Sequence, residues 1–560
     1  MLIGIDVGGT YTDGVIFDQG EIKSSTKAPT DSADIKGSVL QVLDDLLGPG
    51  TSKQVQRIVL GTTLVTNILA TGRGEPTALI LLTGYGLPHD AYNISQYTWY
   101  LKGAIDFRGR EIEPLDLQEI AETLEAITAR GLKRIAVAAK FANRNNKQEL
   151  EIRDYIAEKY PDIKVSISSE VSGKLNFPRR AVTTYFTAMT LTEWNHFADE
   201  IEAALRQRGI NTQVEILKAD GGTVSLASSR IMPCETVFSG PAASTMGALA
   251  VNSDKVNSVV IDVGGTTSDI SLIIDGNPLY AAKGAAIEGH LTHINAFAVR
   301  SLALGGDSPV IIENGVPGVA GTRQGPAACF GGDAATVTDV FNLKYQLDIG
   351  DLKASGEKLA KIAGEYGIDL DTMNQHIVDI VTDRLITAIQ EMFAQWEKEP
   401  AYKVWEVIHR RRFELHRIMG IGAAAEAILP ILAEKMGVPL FLHKYSPVAN
   451  ALGASVVRPT LAVQVHVDTA TNLCTVDPGG IQAPLMQGSK TQLDDVKALA
   501  CKYLVGIGSE RGMGEYTGEY KFFMEEQFNT IRGYSGSGKL FDVGVQVLPG
   551  FIKEFKGVRS

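Results

Sequence analysis

Apolar runs of strand length, separated by polar turns that carry glycine, open the chain and return in its middle. Met1–Val7 is apolar, a polar loop follows, and Gly14–Phe17 is apolar again. A turn at Asp18-Gln19-Gly20 then leads into Glu21–Lys27. Ser258–Val263, a loop, Ile270–Ile274, the turn Asp275-Gly276-Asn277 and Leu279–Lys283 repeat that order. Each set predicts three consecutive antiparallel strands with a glycine turn between the last two. Helical spacing of apolar positions takes over elsewhere. It predicts helices over Leu115–Arg130, Gln148–Lys159, Leu191–Arg208, Asp371–Glu397, Gly422–Met436 and Leu493–Val505. Buried strands are expected at Lys133–Phe141, Gln213–Ala219 and Val438–His443, with further apolar stretches at Phe522–Met524 and Phe541–Val547. Strands alternating with helices make this an α/β chain.

The loops repeat more closely than their surroundings. Ile5-Asp-Val-Gly-Gly-Thr-Tyr-Thr-Asp13 returns as Ile261-Asp-Val-Gly-Gly-Thr-Thr-Ser-Asp269, identical at seven of nine positions and offset by 256 residues. A period this long points to duplicated domains, not to a solenoid. At 560 residues the chain exceeds what one core holds, so two or three domains are expected. Breaks are expected at Gly48–Lys53, Asp348–Gly356 and Asp468–Thr491. The expected division is an N-terminal lobe over 1–186, a second lobe with helical insertions over 187–458, and a small C-terminal α+β module over 459–560 with a glycine-rich loop at Gly533–Gly538.

Composition narrows the class. Hydrophobic content of 44% and charged content of 21% are those of a globular protein. A net charge of −12 argues against a nucleic-acid partner. No apolar run reaches membrane-spanning length and the N-terminus has no secretory pattern, so no membrane association is expected. Cys234, Cys329, Cys474 and Cys501 are scattered with no C-x-x-C pair. That disfavours disulfide and zinc–thiolate scaffolds and fits a reducing cytoplasm.

The repeated loop has a definite chemical use. Gly8-Gly9 and Gly264-Gly265 let a phosphate approach the main chain with no β-carbon in the way. Successive amides can converge on that anion, and Thr10, Thr12, Thr266 and Thr267 add hydroxyl donors. Asp6 and Asp262 end apolar strands, where they can hold Mg2+ through its waters. Asp13 and Asp269 stand seven residues further on, either to orient water or a metal-bound group or to cap the hairpin. Two such hairpins facing each other would grip a triphosphate from both sides. No helix follows either loop directly, so the spacing is neither that of a P-loop nor of a dinucleotide fold.

These hairpins resemble the phosphate motifs of the actin, sugar-kinase and Hsp70-type ATPase superfamily. The resemblance implies two ribonuclease-H-like lobes with ATP and Mg2+ in the cleft between them. It also implies a late adenosine motif, matched by Met419-Gly-Ile-Gly-Ala-Ala-Ala425, with Gly420 and Gly422 against the adenosine. Within that superfamily the chain is most similar to the hydantoinase/5-oxoprolinase A-type family. The similarity is carried by Gly4–Asp13, Val59–Asn67, Phe141-Ala-Asn143 with Glu149, Ser168–Val171, Phe238–Ala243, Gly325–Cys329 and Ala335–Asp339, in family order across residues 1–458. Where the family shows Gly-Ala-Gly-Gly-Gly-Ser, this chain reads Leu304-Gly-Gly-Asp-Ser308, which puts an acid at a substrate or phosphate edge.

Membership would imply ATP-dependent opening of a cyclic amide, such as a hydantoin or 5-oxoproline, by phosphorylation of the ring carbonyl oxygen. Asp6, Asp13, Asp262 and Asp269 are the implied catalytic set, and a hydantoinase B-type subunit or a second copy of the chain the implied partner. A small-molecule kinase of the same fold and a regulatory ATPase acting on a partner enzyme remain open. Thr63, Asn67, Gly305, Gly306 and Asp307 are candidate substrate contacts, with Thr62 and Thr66 beside them, or else helix caps and turn residues. His290 and His293 suit a helical face or a metal edge, or form an ordinary satisfied pair. His409-Arg-Arg-Arg412 reaches a phosphate or forms an exposed helix face.

Overall fold

The two glycine turns close because Gln19 and Gly20 take φ of 51° and 87°, and Asp275 and Gly276 take 50° and 76°. Paired positive φ values match the natural twist of the flanking strands. The computed structural model describes residues 1–48, 52–252, 254–398, 412–485, 488–532 and 536–559. Pro49–Thr51 of the first expected break, His409–Arg411 of the basic run and Gly533–Ser535 of the late loop lie outside the described residues.

The first sheet runs, in spatial order, Glu21–Pro29, Tyr11–Asp18, Leu2–Val7, Arg57–Gly61, Val214–Leu217 and Thr223–Ser225. Leu2–Val7 is antiparallel to Tyr11–Asp18 and parallel to Arg57–Gly61, which is parallel to Val214–Leu217. The second sheet repeats this with Asn277–Pro278, Ser268–Ile274, Ser258–Val263, Arg417–Ile421 and Leu440–Phe441. Strand order 3-2-1-4-5 with only the second strand reversed makes both lobes ribonuclease-H-like, as the resemblance implied. The third strand of the second copy differs from expectation. It is confined to Asn277–Pro278, and Val299–Leu302, not Leu279–Lys283, pairs along Ser268–Ser271.

The expected boundary between residues 186 and 187 is corrected. It falls inside one helix, Phe177–Gln207, and the first sheet continues to Ser225. Thr183, Thr184, Phe186, Thr187 and Ala188 are all buried, so the front half of this helix lacks the one-sided stripe that marks its rear half. In chain order, the segment between Arg57–Gly61 and Val214–Leu217 forms a separate parallel sheet of Thr77–Leu82, Thr98–Tyr100, Arg134–Ala139 and Lys164–Ile167. Its helix Leu117–Ala129 starts where Asp116 caps the amide of Gln118.

The lobes meet where helices Ser239–Val251 and Ala449–Val456 cross. A Cβ on Gly247 would stand 2.1 Å from the Ala449 carbonyl oxygen, and one on Gly453 would stand 2.6 Å from that of Ala243. Only glycine allows backbones this close. The C-terminal module is a five-stranded antiparallel sheet covered by helix Leu493–Glu510. Its apolar stretches lie inside the longer strands Tyr520–Arg532 and Gly536–Val547. All four cysteines are free. Among the described residues no helix is long and apolar enough to cross a membrane.

Candidate functional site

Strand register brings the aspartates together. Asp6 lies opposite Asp13 and Asp262 opposite Asp269. Directly paired residues share one face of a sheet, so each hairpin presents two carboxylates side by side. The loops close alike: Gly8 N–H donates to the Tyr11 carbonyl at 3.0 Å and Gly264 N–H to that of Thr267 at 2.9 Å. Beyond these bonds the loop tips face each other, with Thr10 Oγ1 and Thr266 Oγ1 3.0 Å apart. A cavity of about 1440 Å³ opens between the lobes here, and all four aspartates line it.

The four carboxylates differ in their partners. Asp6 is 3% exposed, and its Oδ1 is buried with no hydrogen-bond partner among the described residues. Its Oδ2 accepts from Asn450 Nδ2 at 2.9 Å, and the same amide donates to Asp13 Oδ2 at 3.1 Å. Burial, and then the charge of Asp13, push the Asp6 carboxyl up to about 7. Asp13 is ion-paired to Lys27 at 2.7 Å. Asp262 accepts from the Ser244 hydroxyl, and burial raises its pKa. Burial lifts Asp269 to about 6 against a hydrogen bond from Ser301. A buried carboxylate oxygen without a donor carries charge poorly. A hydrated divalent cation between Asp6 and Asp262 would relieve that cost, and Mg2+ is ordinarily held by few carboxylates with its waters kept. Among the described residues no cluster of three or more His, Cys, Asp or Glu forms a direct cage.

Gly8, Gly9, Thr10, Gly264, Gly265, Thr266 and Thr267 all reach the cavity wall. Thr12 does not. It is fully buried, with its hydroxyl 2.9 Å from that of Thr30. Gly422, at φ 88°, reaches the wall, where a Cβ would stand 2.4 Å from Asp262 Oδ1. Gly420 is corrected: it lies back in strand Arg417–Ile421, packed against Leu442 and Leu429, away from the cavity. Thr63 and Thr66 line the cavity, but Asn67 turns back, its amide 3.4 Å from Thr63 Oγ1. Thr62 is buried, with its backbone bonded to Ser239 Oγ.

Gly306 and Asp307 line the cavity, while Gly305 lies beneath them against the Gly265 backbone. Asp307 N–H donates to the Gly265 carbonyl at 2.7 Å, and the Asp307 carboxylate is ion-paired to Arg323 at 2.8 Å. The acid that departs from the family pattern is thus paired, and its loop braces the second hairpin. His290 and His293 do not converge. His290 sits edge-on to Phe186 with centroids 6.3 Å apart, and His293 Nδ1 lies 2.8 Å from Ser172 Oγ. Their segment is a short strand and turn, so the helical spacing does not apply. Arg412 is exposed.

Lys27, Ser244, Ser301, Phe238 and Asn450 line the cavity without having been singled out for chemistry. Lys27 comes opposite Asp13 only through a register shift between Ile16 and Phe17, which the turn alone does not predict. Ser244 and Asn450 come from the two crossing helices, and their approach is tertiary.

Residues 180–462 match the family model described as Hydantoinase/oxoprolinase, and residues 2–160 match the model of its N-terminal region. The chain is 25% identical to an uncharacterized protein of Schizosaccharomyces pombe, over 89% of this chain and 43% of that one. It is 24% identical to the caprolactamase subunit alpha of Pseudomonas jessenii, over 78% of this chain and 67% of that one. It thus spans less than half the length of the first of these relatives. The crystal structure of an ATP-dependent caprolactamase from Pseudomonas jessenii shares the fold, with a TM-score of 0.71 at 19% identity, covering 98% of this chain and 87% of that one.

Proposed function

The chain belongs to the hydantoinase/oxoprolinase family, and we propose that it uses ATP to open a small cyclic amide. The observation that carries this reading is the pair of opposed loops, Thr10 against Thr266 at 3.0 Å, with four aspartates on the cavity between them. The tip amides of Gly9–Thr10 and Gly265–Thr266 bind the phosphates from both sides. Asp6 and Asp262 would hold Mg2+, which would offset the charge that burial makes costly there. Gly422 admits the nucleotide beside Asp262. Asn450 locks Asp6 and Asp13 in register, and the ion pair with Lys27 holds Asp13 in place as an orienting group.

An unstrained lactam carbonyl is a poor electrophile, and ATP supplies the phosphoryl group that activates it. The carbonyl oxygen bonds to the γ-phosphorus as the bond to the bridging oxygen of ADP breaks. Asp269, with its carboxyl near 6, takes a proton from water as that water adds to the carbonyl carbon. The ring C–N bond then breaks and the nitrogen takes up a proton. A second water releases phosphate from the acyl phosphate and leaves the carboxylate. The relative's name, a subunit alpha, supports a second polypeptide as partner.

The test is phosphate release from ATP with a panel of hydantoins, lactams and 5-oxoproline, with and without the candidate second subunit. One compound should stimulate turnover and yield ring-opened product equimolar with ADP. A stable phosphorylated product would make the protein a kinase. No stimulation, with tight binding to another protein, would make it a regulatory ATPase.

A further inference from the structure

A second cavity, of about 80 Å³, lies where both lobes meet the C-terminal module. Its charged lining comes from separate parts of the chain. Lys174 follows the short helix Ser168–Val171, Glu235 sits in the turn Pro233–Thr236, Asp477 ends strand Leu473–Asp477, and Arg511 follows helix Leu493–Glu510. The chamber therefore exists only when the module is seated on the lobes.

The charges in it are unevenly matched. Lys218 and Asp220 satisfy each other at 3.2 Å. Lys174 instead spends two donors on neutral oxygens, the His293 carbonyl at 3.2 Å and Asn295 Oδ1 at 3.0 Å. An ammonium has three donors, so one remains for the cavity. Among the described residues, Asp477 Oδ1 accepts only the Gly173 amide, at 2.5 Å. Among the described residues no ion pair joins Lys174, Arg511, Asp477 or Glu235 to any partner. Two cations and two carboxylates thus line one small space without touching each other. Opposite charges held near each other but without direct contact partners are costly when partly buried, because such charges are retained when paired and hydrogen-bonded.

Size limits the ligand. A water needs ~10–15 Å³ of such volume, so the chamber takes roughly five to eight non-hydrogen atoms. Tyr280, its ring edge-on to Phe297 at 5.3 Å, forms part of the wall of both cavities. The chamber is thus distinct from the loop-lined cleft but adjoins it.

We propose that this chamber binds a small amino-acid-type zwitterion, with its carboxylate on Lys174 and Arg511 and its ammonium on Asp477 and Glu235. A ring-opened lactam is such a molecule, and that link alone rests on the proposed function. The site itself follows from the chamber's size and unpaired charges.

The test is isothermal titration calorimetry on the full chain without nucleotide, using 5-aminopentanoate as the probe. Pentanoate and pentylamine, each carrying one of its charges, are the controls. The zwitterion is expected to bind with Kd of ~1 mM or tighter, and each control at least ~10-fold more weakly, the loss of one charge-assisted contact. Lys174→Met should abolish the preference over pentylamine, and Asp477→Asn the preference over pentanoate. Both variants should bind Mg·ATP like the parent. Arg511→Gln, at a partly exposed position, repeats the first arm if Lys174→Met does not fold. Absence of 5-aminopentanoate binding, or equal binding of zwitterion and pentanoate, overturns the proposal. Failure of the parent chain to bind Mg·ATP would sink the nucleotide reading and leave this result standing.

Discussion

Replacing Asp6 with asparagine should make the resting protein more stable above neutral pH, although the residue belongs to the proposed metal site. The Asp6 carboxyl is displaced from its ordinary 3.8 to about 7 by burial, by Asp13 and by Asp262. Each tenfold change in proton affinity corresponds to ~1.4 kcal/mol, so the ionised side chain costs the folded state on the order of 4 kcal/mol. The direction follows from linkage. A carboxyl raised on folding contributes stability that is complete below about 3.8 and is lost as pH rises through about 7. Asparagine does not titrate and keeps an oxygen for Asn450. Parent and variant should therefore unfold alike near pH 4 and diverge steadily toward pH 8, with the variant the more stable. Chemical denaturation across that range, without nucleotide, reads the difference. Adding Mg·ATP should reverse the order, because a ligand of the native state stabilises only the chain that binds it. A stability gap that stays constant from pH 4 to 8, or an Asp6→Asn variant that binds Mg·ATP as well as the parent, would refute the reasoning.

Asp269→Asn should lower turnover by ~10²–10⁴-fold with Mg·ATP affinity nearly unchanged, and in the parent kcat should fall as pH drops below about 6; pH–rate profiles and nucleotide titration check both. Ser301→Lys should pull that acid limb to lower pH by giving Asp269 a cation, and a limb that does not move argues against Asp269 as the base. Arg323→Gln should weaken nucleotide binding by leaving Asp307 unpaired beside the second loop, and Asp307→Asn added to it should restore affinity, as a double-mutant cycle would read. Gly247→Val should destabilise by at least ~1–3 kcal/mol through overpacking, because the first added carbon already stands 2.1 Å from the Ala449 carbonyl oxygen. Gly364→Ala, with nothing within 4 Å of the added carbon, should instead stabilise by ~0.5–1 kcal/mol, and denaturation midpoints compare the two.

What could be read from the sequence was local. The Asp-x-Gly-Gly-Thr loops, their flanking strands and their duplication were legible because hairpin chemistry depends on neighbours in the chain. One misreading came from ignoring strand alternation. Asp13 faces the cavity, so Thr12 beside it must face away, and it does, toward Thr30. Gly420 and Gly422 belong to one motif by resemblance, yet Gly420 is still inside the strand while Gly422 has entered the turn. Asn67 looked like a cleft residue, but one turn of helix Leu64–Ala70 carries it behind Thr63. Asn450 and Ser244 were out of reach altogether. They meet Asp6 and Asp262 from positions 444 and 18 residues away in the chain, respectively, and no pattern around them marks that meeting.

The two hairpins carry the same loop but not the same chemistry, and register explains the difference. In the first copy the strand that covers Tyr11–Asp18 is Glu21–Pro29, which sets Lys27 opposite Asp13. In the second copy the hairpin's own third strand ends at Pro278, and Val299–Leu302 takes its place with Ser301 opposite Asp269. A lysine in one copy thus corresponds to a serine in the other. The lysine forms an ion pair with Asp13, while the serine hydrogen-bonds to Asp269 without supplying charge, and burial then holds that carboxyl near 6. The chain segment between Pro278 and Val299, freed from the sheet, supplies Tyr280 to the wall shared by both cavities. One replaced strand therefore accounts for two departures from symmetry: a carboxylate poised to accept a proton, and a wall that separates the loop-lined cleft from the smaller chamber.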